Sequence, residues 1–134
     1  MTPLLTLTQW LSPGFPTGAF ACSHGLEQVI HDGAVTDAAT LELWLTDVLR
    51  FGSGWQDAVL LVQALAPGAD HTALDATARA LQPGFERLQE TLEQGAAFAR
   101  TVAAITGRAL PPRALPVAVG EATASLGLPP EQVV

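Results

Sequence analysis

Apolar residues recur along this chain at spacings of three and four, with no sustained alternation. The clearest case follows Thr36-Asp37. Leu41, Trp44, Leu45, Val48 and Leu49 fall at i, i+3, i+4, i+7 and i+8, the stripe of an amphipathic helix. Thr36 or Asp37 caps its start, and Gly52-Ser53-Gly54 ends it. A second helix is predicted from Trp55 to Ala66, with Ala58, Leu61, Val62 and Leu65 on one face, stopped by Pro67-Gly68. Asp70 caps a weaker helix reaching about Leu81, with an Asp75–Arg79 pair at i, i+4.

The longest predicted helix opens at Pro83 and reaches about Thr106. Its stripe takes in Phe85, Leu88, Leu92, Ala96, Ala99 and Val102. Gly95 lies inside it, at a cost of about 1 kcal/mol relative to Ala. With Ala99 four residues on, it suggests a side that another helix approaches closely. Shorter helices are predicted at Leu4–Leu11, Ser23–Asp32 and Pro116–Leu126. Ser12–Gly18 and Gly107–Leu115 read as Pro/Gly-containing loops. Leu128–Val134 has the Pro and Glu of a helix start. The expected fold is all-α, a single domain over residues 1–134 built as a bundle of about seven helices.

Composition narrows the function. Of 134 residues, 49% are hydrophobic and 14% charged, against about 25% charged in an average domain. So few charges imply that a partner covers some apolar surface. Net charge is −7, with six Arg and no Lys, which argues against nucleic acid and anionic membranes, since both require basic patches. Cys22 is the single cysteine, so no intramolecular disulfide forms, as suits a reducing cytosol. No basic residue precedes Ala19-Phe20-Ala21-Cys22, and Pro13 and Pro16 interrupt the apolar stretch, which argues against a signal peptide.

Catalytic constellations are weak. Glu86, Glu90 and Glu93 fall on the side of their helix opposite the apolar stripe, where a solvated face is expected. Cys22 and His24 are weak metal candidates, with His31 nearby. His24 and His31 are two turns apart, about 10 Å along a helix, too far for one ion in a regular helix. There is no Gly-x-Ser-x-Gly elbow, and a P-loop is impossible without Lys. The expectation is a non-enzymatic protein without a cofactor. Two alternatives stand beside it: a metal-dependent helical enzyme, and a generic helical dimerisation module.

One segment is more specific. Leu11–Glu27, LSPGFPTGAFACSHGLE, resembles the opening signature of the UreF family of urease accessory proteins, roughly Ser-Pro-x-x-Pro-x-Gly-x-Phe-x-Tyr-Ser-His-Gly-Leu-Glu. Ser12, Pro13, Pro16, Gly18, Phe20, Ser23, His24, Gly25, Leu26 and Glu27 match it. Trp44-Leu45-x-Asp47-x-Leu49, Asp57-Ala58 with Leu60-Leu61, and Pro116-Val117-Ala118-x-Gly120 with Leu126–Pro130 follow in the family's order. Cys22 departs from it, standing where the family has Tyr. Family members also continue with further helices beyond the position of Val134, so C-terminal helices are expected to be missing here.

The resemblance implies an all-α, cytoplasmic protein that pairs into homodimers. It implies membership of a GTP-dependent complex with UreD (also called UreH) and UreG that delivers nickel to apo-urease. UreG is the GTPase, which the UreF-like member bridges and regulates. Phe20, Ser23, His24 and Glu27 are the partner-binding candidates carried over with the signature.

Overall fold

A computed structural model describes residues 2–19 and 25–134. Its described residues form helices and no strand, the all-α fold expected. In chain order they are α1 (Pro3–Trp10), α2 (Leu26–His31), α3 (Ala38–Phe51), α4 (Ser53–Leu65), α5 (His71–Ala80), α6 (Phe85–Thr106), α7 (Leu115–Thr123) and α8 (Pro130–Val133). A 3₁₀ turn, Ala124–Leu126, follows α7, so the helix predicted over Pro116–Leu126 tightens at its last turn. The start of α4 moves earlier than predicted. A single residue, Gly52, separates it from α3, and Ser53 and Gly54 are already helical. The helix start expected near Pro129-Pro130 is the short α8, whose Val133 is buried.

Two compact units divide the chain. The first comprises Met1–Ala19 and Ala58–Val134, the second Phe20–Asp57.

In the first unit α7 is the centre. Pro116, Val117, Ala118, Val119, Gly120, Ala122 and Thr123 are all buried. A helix apolar nearly all round belongs inside a protein, and in LPVAVGEAT Glu121 is the one charged residue. One side of α7 packs in a cluster with Trp10, Phe15, Phe98 and Val102. The other packs with Leu60, Ala64 and Ala78. Trp10 meets Phe98 edge-on at a centroid separation of 6.5 Å, and Phe15 meets it tilted at 5.4 Å.

Glycines permit the close approaches. Gly120 lies against Leu61 and Ala64 of α4, so that an added Cβ would fall on the Ala64 methyl and 2.9 Å from the Leu61 carbonyl oxygen. Gly95 lies under the backbone of residues 113–115. A Cβ there would fall on the Arg113 carbonyl oxygen and 2.8 Å from Leu115 N. A packing reason for Gly95 is thus found, but what approaches is the end of a loop and the first residue of α7 rather than the side of a helix.

The buried face of α6 keeps Ala99 and Val102 of the predicted stripe, with Leu92 packed against the core, and is shifted elsewhere. Gln94, Gly95, Phe98, Ala99 and Val102 are its buried residues, whereas Phe85 is exposed. Contact with α7 selects the face carrying Gly95 and Phe98, because only there does the backbone of residues 113–115 fit. On α4 the buried residues are Leu60 and Ala64, and Val62 is exposed. Leu61 of the predicted face packs against the core, and the seat of Gly120 against Leu61 and Ala64 rotates the buried side toward Leu60 and Ala64.

In the second unit α3 opens with a capping box. The Asp37 carboxylate accepts the Thr40 N–H at 2.8 Å, and the Thr40 hydroxyl oxygen accepts the Asp37 N–H at 3.1 Å. Asp37 is the cap that the sequence left open between Thr36 and itself. Neither α2 nor α3 has a buried residue; Val35, in the connection between them, is buried. α2 begins at Leu26, and Ser23, the predicted start, lies outside the described residues.

Candidate interaction surface

The signature segment runs through both units. On the side of the first unit, the Phe15 N–H donates to the Ser12 carbonyl at 3.0 Å, closing a turn. That turn buries Phe15 against Phe98. Gly18 follows with φ +78°, a left-handed conformation that favours glycine. On the side of the second unit, Gly25 is the left-handed residue (φ +86°) immediately before α2. Two signature glycines therefore have backbone reasons, and Phe15, which the signature does not include, is the loop's anchor.

Of the four partner-binding candidates, Glu27 is described. It lies exposed in the first turn of α2, where a carboxylate complements the helix dipole. Phe20, Ser23 and His24 lie outside the described residues, as does Cys22, so the metal candidates Cys22 and His24 are not placed. His31 is exposed at the end of α2. Among the described residues no group of three or more His, Cys, Asp or Glu side chains is arranged to hold a metal ion.

Two carboxylates of the first unit, Asp75 and Glu121, are occupied in holding α7. Asp75, 9% exposed, accepts the Ala114 N–H at 2.7 Å through one oxygen and the Arg79 Nε–H at 2.8 Å through the other. The predicted Asp75–Arg79 pair thus forms, with a second task the spacing did not show. The Thr91 hydroxyl accepts the Leu115 N–H at 3.1 Å. Ala114 at the N-cap supplies no side-chain acceptor, so α5 and α6 satisfy amides that a buried helix start would otherwise leave unpaired.

At the other end of α7, Arg108 donates to the Ala122 carbonyl at 2.9 Å and to the Ser125 hydroxyl at 2.8 Å, as suits a cation at a helix C-terminus. Glu121 accepts from Arg113 Nε–H. It also faces His71 Nδ1 at 3.7 Å, while His71 Nε2–H donates to the Ala64 carbonyl at 2.8 Å. These charged groups hold α4, α5 and the 107–114 loop against α7. The chain spacing of thirty-nine between Asp75 and Ala114 left no local signal that could have found them.

Along α6, Glu86 and Glu93 are exposed, as expected of a solvated face. Glu90 departs from that expectation. It is half-buried and accepts from Arg87 Nη1 at 3.4 Å and from Gln94 Nε2 at 3.4 Å.

The described residues thus make a helical scaffold whose charged side chains staple its own core, with carboxylates bound to backbone and guanidinium groups. The comparisons with known proteins give that scaffold a family. The UreF family model matches residues 35–134. The urease accessory protein UreF of Cereibacter sphaeroides is 65% identical over 130 residues, covering 97% of this chain and 61% of that protein. Its namesake in Paracoccus denitrificans is 57% identical, covering 97% and 60%. That of Ruegeria pomeroyi is 42% identical over 128 residues, covering 94% and 59%. The chain belongs to the UreF family. It spans about three fifths of the length of the curated relatives it matches. No solved structure matches it.

Proposed function

We propose that this chain acts as a urease accessory protein, a non-catalytic chaperone component of nickel insertion into apo-urease. In this reading it joins UreD-like (UreH-like) and UreG-like proteins in the cytoplasm, and it bridges and regulates the UreG-like GTPase. Nickel is cargo of the complex. The protein works as a homodimer, and residues 1–134 serve as one functional domain. The observation that carries the reading is the 65% identity to a protein named urease accessory protein UreF, across 97% of this chain. The signature at residues 11–27 adds to it.

We assign partner contact to Phe20, Ser23, His24 and Glu27. The exposure of Glu27 at the start of α2 supports the assignment, because a side chain without a packing task is free to meet another protein. Size-exclusion chromatography with light scattering tests the function, with the chain run alone and mixed with UreD-like and UreG-like proteins. Co-elution as a stable complex is expected. A folded chain that elutes apart from both partners would overturn the reading.

A further inference from the structure

We draw no further inference here: the strongest candidate, the open and largely apolar groove between the end of α4 and α5 lined by Gln63, Ala66, Ala73, Leu74 and Thr77, carries nothing, because nothing in the structure shows what covers it.

Discussion

Helices α3 and α7 invert what their sequences advertise. α3 carries the most regular amphipathic stripe in the chain and buries no residue. α7 has no stripe, contains a proline and a glycine, and buries seven of its nine residues. Helix stability is also supplied differently. α3 is capped by its own Asp37 and Thr40, whereas the amides at the start of α7 are taken by Asp75 of α5 and Thr91 of α6. A local cap stabilises the start of a helix without help from other elements. Caps supplied from distant elements make a helix that exists only inside the assembled core.

That contrast can be broken at its strongest point first. Phe98 joins Trp10 and Phe15 to the α7 cluster, and Phe98→Ala is expected to destabilise the first unit by about 3–5 kcal/mol. Urea unfolding followed by Trp10 fluorescence would measure it, in a background where Trp44 and Trp55 are replaced by Phe. A loss under 1 kcal/mol would mean that α7 is not the organising element.

Gly95→Ala comes next. Alanine favours helix over glycine by about 1 kcal/mol, but its methyl would collide with the backbone of residues 113–115. Overpacking of that kind costs about 1–3 kcal/mol, so net destabilisation is expected. A stabilised variant in the same urea titration would show that the 113–115 backbone yields easily.

Smaller effects should stay within α3. Asp37→Ala removes the capping box and should speed amide exchange at Thr40 and Leu41 while leaving the exchange of Val117–Ala122 unchanged. Acid should act on the same cap. Hydrogen bonds from the Thr40 N–H and hydroxyl hold the Asp37 carboxyl below its usual 3.8. The folded state thus favours the charged form. The cap's contribution is fully present above pH 3.8 and is lost as pH falls through the lowered value. Exchange at Thr40 measured from pH 5 downward, corrected for intrinsic rates, should show protection falling in that window. Protection of Thr40 that is indifferent to Asp37→Ala would remove the cap from the account.

Smallest of all, Leu49→Ser should change the stability of the unbound chain by less than about 0.5 kcal/mol, the range of ordinary surface substitutions. A larger loss would show that the α3 stripe already packs within the chain.

Much of this molecule was legible locally. Helix existence, the break near Gly52, the Asp70 cap with its bond to Ala73 N and the Gly107 end of α6 follow from spacing and capping within a turn or two. In the signature loop the left-handed turns were legible through Gly18 and Gly25. The role of Phe15 as its anchor was not, because nothing near residue 15 points to Phe98.

By itself, then, the sequence determined the all-α class, the order and approximate limits of the helices, the acidic and apolar balance of residues 20–57 and the resemblance to the UreF family. These depend on interactions that reach three or four residues along a chain. Only the tertiary structure decided which face of α4 and α6 turns inward, which helix forms the centre, and which carboxylates are tied up in the core. Those outcomes depend on backbone approach at Gly95 and Gly120 and on amides left unpaired at the start of α7, and their partners lie tens of residues away in the chain.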